Sequence, residues 1–334
     1  MTKEANREKR KEKAKEKEKK KKSSSHNHAS LELRGRIVKA LSGYYYVLPD
    51  DAESQDATVQ CRGRGVLKNK GITPLVGDEV VYSLTENGEG TVERVLPRSS
   101  ELIRPPVANI DVAMLVFSVT EPALNLTLLD KFLVHIEHAE IEAVLCLSKQ
   151  DLEHDGEETE AAAEAAASVN RIYSAIGYEI YGTSSRQGKG IEELGQRLQG
   201  HLAVFAGQSG VGKSSLLNAI VPGLQLETNA ISNRLGRGKH TTRHVELIEI
   251  GGGYVADTPG FSQLDFTELG IEDLGYCFRE IRALSPDCKF RGCTHVQEPG
   301  CAVLAALAEG KIEPSRHDNY LQFLNEMKDK KRRY

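Results

Sequence analysis

The sequence predicts a multidomain protein with a small N-terminal β-barrel, a central α/β domain and a mostly helical C-terminal domain. Three observations predict this order. Short strands separated by Gly and Asp fill residues 31–99, strands and helices alternate over residues 100–265, and cysteines gather beside a histidine within residues 266–334. Residues 1–30 form an arm ahead of these domains.

The N-terminal arm is basic, although the chain as a whole is acidic. Residues 1–22 hold 12 Lys and Arg against 5 Glu, whereas the 334-residue chain has a net charge of −4. The arm has too little apolar surface to offset the entropy of ordering, so we expect residues 1–30 to be disordered. Basic tails on an acidic body predict contact with a polyanion, RNA above all; the alternative is a solvated tail that aids solubility.

Composition argues against a secreted or membrane-spanning protein. No apolar run approaches the ~20 residues that cross a bilayer, and the charged N-terminus lacks the apolar segment of a secretory signal. The six cysteines show no disulfide pattern, which indicates a reducing compartment. We therefore expect a cytoplasmic monomer that does not contact a membrane.

Five short strands predict the barrel. Five strands within about 70 residues favour an OB-fold, a barrel that commonly binds nucleic acid. We predict a basic loop beside it, made of Arg62, Arg64, Lys68 and Lys70. The predicted strands are residues 36–40, 44–48, 57–61, 79–82 and 90–95.

Buried-type strands alternate with helices between residues 110 and 265, which is typical of an α/β domain with a largely parallel sheet. A final helix follows the cysteine-rich segment. The predicted strands are residues 111–118, 141–147, 178–181, 202–206 and 254–257, and the predicted helices are residues 126–139, 157–176, 191–198 and 215–220.

A phosphate-binding loop (P-loop), G-x-x-x-x-G-K-S, lies between a predicted strand and a predicted helix, as this motif requires. Its glycines let backbone N–H groups surround phosphate oxygens at a helix N-terminus. Lys213 is expected to reach the β and γ phosphates, and Ser214 to bind Mg²⁺. The loop consists of Gly207, Gln208, Ser209, Gly210, Val211, Gly212, Lys213 and Ser214.

Three shorter motifs also follow predicted strands, at the edge where α/β domains bind ligands. Asp257-Thr258-Pro259-Gly260 matches D-x-x-G, which contacts Mg²⁺ through water and senses the γ-phosphate. Ser148-Lys149-Gln150-Asp151 resembles the guanine-specific N-K-x-D, in which Asp accepts hydrogen bonds from guanine and the Lys stem covers the base. Thr183-Ser184-Ser185 fits the loop that supports the base through backbone donors. Together with the P-loop, these motifs predict a GTP site.

Cys288, Cys293, His295 and Cys301 form C-x4-C-x-H-x5-C. Three thiolates and one imidazole suffice for tetrahedral Zn²⁺ and leave no position for water, so we predict a structural site. His317 lies too far along the chain to be a preferred ligand. The alternative is three buried cysteines beside a surface histidine.

The motifs occur in an unusual order, because the base-recognition motifs precede the P-loop. This order indicates a circular permutation, which keeps the sheet and pocket but cuts the chain elsewhere. Over residues 31–330 the chain resembles the family of ribosome-small-subunit-dependent GTPase A (RsgA, also called YjeQ). Three segments carry the resemblance. They are the P-loop with the next residue, Ser215, then Gly238-Lys239-His240-Thr241-Thr242, and then Asp257-Thr258-Pro259-Gly260-Phe261.

The resemblance implies an OB-fold, a circularly permuted GTPase domain and a zinc-binding domain, with GTP and the small ribosomal subunit and its rRNA as partners. It implies hydrolysis of GTP to GDP and phosphate, stimulated by the ribosome, late in subunit maturation. His240 is expected to enter the site when a partner orders its loop; the alternative is a solvated loop histidine. We expect Lys213 and Mg²⁺ to neutralise the charge on the phosphates during hydrolysis. The expected ligands of Mg²⁺ are Ser214, Asp257 and Thr242 (or else Thr241).

Two positions depart from the common patterns. Ser148 replaces an Asn whose side chain normally bonds guanine and braces the P-loop, so we expect weaker nucleotide binding, while Lys149 and Asp151 preserve guanine preference. Phe261 follows D-x-x-G directly, where many GTPases place a catalytic Gln. An apolar side chain cannot orient water, so we expect slow intrinsic turnover.

Two other functions stay open. One is an RNA-binding assembly scaffold in which nucleotide only regulates affinity. The other is a P-loop ATPase or kinase, which would not explain Lys149 and Asp151 at a strand end.

Overall fold

A computed structural model of the chain describes residues 32–54, 57–103, 105–152, 157–221, 223–224, 226, 245–257, 264–266 and 269–332. The predicted arm, residues 1–30, lies outside this range, as do His240, Thr241, Thr242 and Gly260. What we expect of those residues stays a prediction. Among the described residues, none of the helices has the length and apolar composition needed to cross a membrane.

Five strands form a closed N-terminal barrel, and all five predicted strands are confirmed. Side chains that point into the barrel are fully buried, among them Ile37, Val47 and Val80. The strands are β1 (Leu33–Leu41), β2 (Tyr44–Pro49), β3 (Val59–Gly63), β4 (Glu79–Leu84) and β5 (Gly90–Val95).

The barrel has the strand order β1-β2-β3-β5-β4, and β4 closes it by pairing again with β1. β3 and β5 run parallel, and the other neighbours run antiparallel. A closed five-stranded barrel is the architecture predicted for an OB-fold.

The predicted basic loop beside the barrel is wrong in part. Residues Gly65–Asn69 form a short helix, α1, which includes Lys68. The guanidinium of Arg62, on β3, lies over the Tyr44 ring, and Arg64 pairs with Glu93 on β5. Five residues are too few for a helical period to be recognised in sequence, and ionic partners on other strands cannot be read from spacing.

The described residues of the central domain form eight further strands and four α-helices. The predicted strands and helices of this part are confirmed. The strands are β6 (Glu101–Ile103), β7 (Pro106–Ala108), β8 (Val112–Ser118), β9 (Glu142–Ser148), β10 (Glu179–Gly182), β11 (Leu202–Ala206), β12 (Glu246–Ile250) and β13 (Gly253–Asp257); the helices are α2 (Leu126–His138), α3 (Glu157–Ala175), α4 (Ile191–Leu198) and α5 (Lys213–Ile220).

The central sheet has the order β10-β9-β8-β11-β13-β12. The first five strands are parallel, and β12 pairs antiparallel with β13. β8 and β11 are buried along their whole length, as strands covered on both faces must be. β12 also meets β1 at the pair Lys39–Glu246, whose side chains form an ion pair of 2.8 Å. Barrel and central sheet are therefore one continuous sheet of 11 strands.

The C-terminal domain is helical and has its own apolar core. Phe278, Ile281, Val303 and Phe323 are fully buried within it. The helices are α6 (Arg279–Leu284), α7 (Ala302–Ala308) and α8 (Pro314–Arg332), with 3₁₀ turns at Leu274–Cys277 and Ser285–Asp287. This confirms the predicted helical domain around the cysteine cluster.

Candidate functional site

The P-loop connects β11 to α5, and its backbone requires glycine. Gly207, Gly210 and Gly212 have φ values of 142°, 85° and 97°, in a region that L side chains rarely adopt. A Cβ atom at Gly207 would also lie 2.1 Å from the carbonyl oxygen of Val116 on β8. The loop is therefore held closely against the neighbouring strand.

The Lys213 side chain folds back over the P-loop. Its Nζ donates hydrogen bonds to the carbonyl oxygens of Gly207, at 2.8 Å, and Gln208, at 2.7 Å. Burial lowers the pKa of this ammonium group to about 8, because burial disfavours the charged form. Ser214 and Ser215 lie half-buried on the first turn of α5, where the helix N-terminus favours an anion.

Ser148 connects the base-recognition strand to the P-loop. It ends β9, and 5% of its surface is exposed. Its hydroxyl oxygen lies 2.6 Å from the carbonyl oxygen of Val211 in the P-loop and 3.2 Å from that of Phe117 on β8. A hydroxyl has one proton to donate, and the shorter distance favours Val211 as its acceptor. The serine thus contacts the P-loop although its side chain is shorter than asparagine.

Lys149 and Asp151 follow Ser148 after the end of β9 and make separate contacts. Lys149 has a φ of 62°, its Nζ donates to the carbonyl oxygen of Glu121, and its Cε lies 4.0 Å from where a Cβ on Gly212 would be. Its aliphatic stem therefore runs beside the P-loop. Asp151 is 9% exposed, and its Oδ1 accepts a 2.7 Å hydrogen bond from the Ser184 hydroxyl.

The loop after β10 supports this carboxylate. Ser184 is fully buried, and its backbone N–H donates to the carbonyl oxygen of Lys189 at 3.0 Å. The backbone N–H of Gln150 donates to the carbonyl oxygen of Thr183 at 3.1 Å, which ties this loop to the end of β9. Ser185 follows, half-buried. The second oxygen of the Asp151 carboxylate lies 3.9 Å from Nε of the exposed Arg186.

The parallel sheet brings these motifs to one edge. β9, β10, β11 and β13 end beside one another in the order given above, so the segments after them meet at the same edge. Asp257 ends β13, next to the strand that leads into the P-loop. The described members of the predicted nucleotide site are therefore neighbours in space, although the chain visits the base side first.

One part of this edge was not predicted from the sequence. The loop between β8 and α2 contributes Glu121, whose carbonyl binds Lys149, and Pro122, whose Cδ lies 3.9 Å from where a Cβ on Gly210 would be. The strand pattern contained the necessary signal, because β8 also ends at the ligand-binding edge of the sheet.

A second cluster, in the C-terminal domain, has the chemistry of a metal site. The potential ligand atoms of Cys288, Cys293, His295 and Cys301 all lie within 4.8 Å of one another. The Sγ atoms of Cys288 and Cys301 are 3.9 Å apart, and Nδ1 of His295 is 3.4 Å from Cys301 Sγ and 3.7 Å from Cys288 Sγ. Thiolates at about 2.3 Å from a tetrahedral Zn²⁺ lie roughly 3.8 Å apart, so these distances fit that ion.

Neighbouring groups orient the cluster. Nε2 of His295 lies 3.1 Å from the Ser285 hydroxyl, which leaves Nδ1 to face the sulfur atoms. The Glu298 carboxylate accepts hydrogen bonds from the backbone N–H groups of Thr294 (2.7 Å) and Val296 (2.9 Å). Burial raises the pKa of Glu298, but these bonds outweigh that effect and hold it well below its usual range.

His317 does not face the cluster. Its Nε2 lies 2.9 Å from the carbonyl oxygen of His295 and can donate to it. It therefore supports the loop that carries the ligand, as expected from its distance along the chain.

Comparisons with known proteins show the family of this chain. The model of the RsgA GTPase family matches residues 95–267, and the model of the RsgA N-terminal domain matches residues 34–92. A protein of Bacillus velezensis described as small ribosomal subunit biogenesis GTPase RsgA is 53% identical over 300 residues, which are 90% of this chain and 99% of the relative. The protein of the same description from Bacillus subtilis is 52% identical over the same shares.

Solved structures give the same result. YloQ, described as a circularly permuted GTPase, matches with a TM-score of 0.74 and 43% identity, over 92% of this chain and 99% of that one. YjeQ from Thermotoga maritima matches with a TM-score of 0.76 and 37% identity, over 89% and 98% of the two chains. The order of the motifs, the fold and these similarities agree, and the chain belongs to the RsgA GTPase family.

Proposed function

We propose that this protein is a GTPase that binds the small ribosomal subunit, acts late in its maturation and hydrolyses GTP to GDP and phosphate faster when bound there. The observation that supports this most directly is that Asp151 and the P-loop lie at one sheet edge, where the Ser148 hydroxyl contacts the P-loop and the Ser184 hydroxyl holds the Asp151 carboxylate. That arrangement offers a carboxylate for guanine and backbone N–H groups for phosphate. The relatives' description supplies the small subunit as the partner.

Different residues are proposed to bind the phosphates, to hold Mg²⁺ and to position the attacking water. Lys213 Nζ donates hydrogen bonds to two loop carbonyls, and phosphate oxygens would replace these acceptors when nucleotide binds. Ser214, Asp257 and Thr242 are the proposed Mg²⁺ ligands, directly or through water, and hydroxyl and carboxylate oxygens suit that hard cation. Mg²⁺ would neutralise charge that develops on the phosphates. His240 is the proposed water-positioning residue, brought in by the ribosome.

The metal cluster is proposed to hold one structural Zn²⁺. Its four protein ligands complete a tetrahedron, so the ion would stabilise the C-terminal domain and take no part in hydrolysis. The barrel and the basic arm are proposed to contact rRNA phosphates, which makes binding dependent on salt. We propose that the protein works as a cytoplasmic monomer.

GTP turnover with purified small subunits, large subunits or neither tests this proposal. We expect slow turnover alone, and acceleration by small subunits only. Equal turnover in all three reactions would refute ribosome stimulation. His240→Ala should abolish the acceleration while leaving GDP affinity unchanged, because it removes a group needed only in the reaction.

The alternative is an RNA-binding scaffold whose nucleotide only regulates affinity. The exposed Arg62 and the half-buried Tyr44 on the barrel are compatible with either function. Single-turnover rates with and without small subunits separate the two, because a scaffold would show nucleotide-dependent binding with no change in rate.

A further inference from the structure

The Ser285 hydroxyl determines which ring nitrogen of His295 carries a proton. Its oxygen lies 2.7 Å from the carbonyl oxygen of Ile281, one helical turn earlier, and 3.1 Å from Nε2 of His295. A carbonyl oxygen can only accept a hydrogen bond, and it lies nearer, so the single hydroxyl proton is donated to Ile281. Nε2 must then donate to the hydroxyl oxygen, and Nδ1 keeps a free lone pair.

The nitrogen with the free lone pair faces the sulfur atoms of the cysteine cluster. Nδ1 is 3.4 Å from Sγ of Cys301 and 3.7 Å from Sγ of Cys288. A ring nitrogen binds a metal ion through its lone pair, so a ring with its proton on Nδ1 could not serve as the fourth ligand from this position. The hydrogen bonds through Ser285 therefore hold His295 in its metal-binding form.

The His295 ring has little room to turn away from Ser285. The residue is 4% exposed, and a Cβ atom on Gly275 would lie 3.9 Å from both Cδ2 and Nε2 of the ring. The backbone of His295 is held as well, because its carbonyl oxygen lies 2.9 Å from Nε2 of His317. The groups around the ring therefore fix its orientation.

Ser285 directly follows helix α6, which is attached to the nucleotide domain. Arg279 and Arg282 on α6 pair with the carboxylate of Glu137 on α2, at 2.6 and 3.1 Å. The Tyr178 hydroxyl donates to the same carboxylate at 2.9 Å. The side chain of Glu137 is only 7% exposed, so both arginines bind a partner that is itself held in place.

A second, buried network holds the other side of α6. Glu280 on α6 pairs at 2.7 Å with Arg316 on α8, and Arg316 also pairs with Asp130 on α2. The Asn319 amide and the Tyr173 hydroxyl donate to the Asp130 carboxylate at 2.6 and 2.5 Å. Separating these groups would leave charges buried and unpaired, which is costly. Helix α6 is therefore held firmly, together with the hydroxyl that follows it.

We propose that Ser285 is a positioning residue for Zn²⁺: its hydroxyl keeps the proton of His295 on Nε2 and so presents Nδ1 as the fourth ligand. This inference rests on the proposed zinc site. Hydrogen-bond partners behind a metal-binding histidine fix its tautomer and ring orientation, and their loss typically weakens metal binding by roughly 10- to 100-fold.

The test measures the affinity of the full chain for Zn²⁺ by competition with a chromogenic chelator. We expect Ser285→Ala to bind Zn²⁺ roughly 10- to 100-fold more weakly than the wild type. Ser285→Thr keeps the hydroxyl and should restore an affinity close to that of the wild type. Ser100→Ala is the control, because it removes a buried hydroxyl that donates to Ile110 in another part of the chain.

A double-mutant cycle distinguishes positioning from a general loss of stability. His295→Cys keeps four potential ligands but removes the ring, so nothing is left for the Ser285 hydroxyl to orient. In that background Ser285→Ala should leave zinc affinity unchanged, although it weakens binding in the wild-type chain. NMR spectra of the zinc-loaded wild type with nitrogen-labelled histidine should show the proton of His295 on Nε2.

The outcomes separate this inference from the zinc site on which it rests. If Ser285→Ala binds Zn²⁺ as tightly as the wild type, Ser285 has no positioning role. An equal loss in the wild-type and His295→Cys backgrounds would make Ser285 a structural residue and overturn the inference, and so would a proton on Nδ1. If the wild-type chain binds no Zn²⁺, the proposed zinc site itself fails and the inference fails with it.

Discussion

Replacing Ser148 by alanine should weaken nucleotide binding without altering the fold. The change removes the 2.6 Å hydrogen bond between the Ser148 hydroxyl and the Val211 carbonyl, which lies inside the P-loop. A hydrogen bond of this kind contributes a net of about 1 kcal/mol, which corresponds to roughly a five-fold change in affinity. Without this hydrogen bond the P-loop is less firmly held in its phosphate-binding shape. Part of the binding free energy of the nucleotide is then spent on restoring that shape, which weakens the measured affinity.

A matched variant distinguishes a local effect from general destabilisation. Ser100 is also buried, and its hydroxyl donates to the carbonyl oxygen of Ile110 at 2.8 Å, outside the nucleotide site. Ser100→Ala and Ser148→Ala should therefore lower the melting temperature to a similar degree. Titration with fluorescent GDP should show weaker binding for Ser148→Ala alone. Equal GDP affinity in the two variants would show that the brace contributes nothing to binding.

Three further predictions concern charge and metal. Burial holds the pKa of Lys213 near 8 in the free protein. Above that pH the lysine must take up a proton when phosphate binds, so GDP affinity should fall between pH 7 and 8.5. A GDP affinity that stays constant over this pH range in titrations would contradict this. Arg316→Met leaves Asp130 buried without its cation and should cost about 3–5 kcal/mol in denaturant unfolding, whereas Asp130→Asn combined with it should recover part of the loss. Removing the metal with a chelator, or changing Cys301 to Ser, should release one zinc per chain and lower the melting temperature; an unchanged melting temperature would argue against a structural ion.

Local patterns predicted most of the fold, because strand and helix periodicity does not depend on distant partners. β12 was missed, although Leu247 and Ile250 are buried on its two opposite faces and glycines follow it. Gly251 and Gly252, both with positive φ, form the turn between β12 and β13, which is a readable signal of a hairpin. The short helix α1 offered no such pattern.

The site residues also fall into those that local sequence motifs predict and those that depend on distant parts of the chain. The P-loop, Lys149, Asp151 and the cysteine cluster depend on local motifs, and the structure brings the described ones together. Asp130 and Arg316 could not be predicted, because a charged residue on a helix ordinarily faces solvent and its partner here lies in another domain. Ser148 was expected to weaken nucleotide binding, and only the closeness of β9 to Val211 shows that a short hydroxyl can reach the P-loop.

The continuity of the 11-stranded sheet limits how this protein can be divided. β12 forms the border of the central sheet, and beyond it the barrel begins at the pair Lys39–Glu246. A shortened chain that starts near residue 100 would leave β12 as a bare edge, with backbone groups available for pairing to other molecules. Such a fragment should be prone to self-association, so the covalent order of the domains does not mark out pieces that are stable alone. At the Lys39–Glu246 pair the barrel covers the start of this edge of the nucleotide domain, independently of any RNA it contacts.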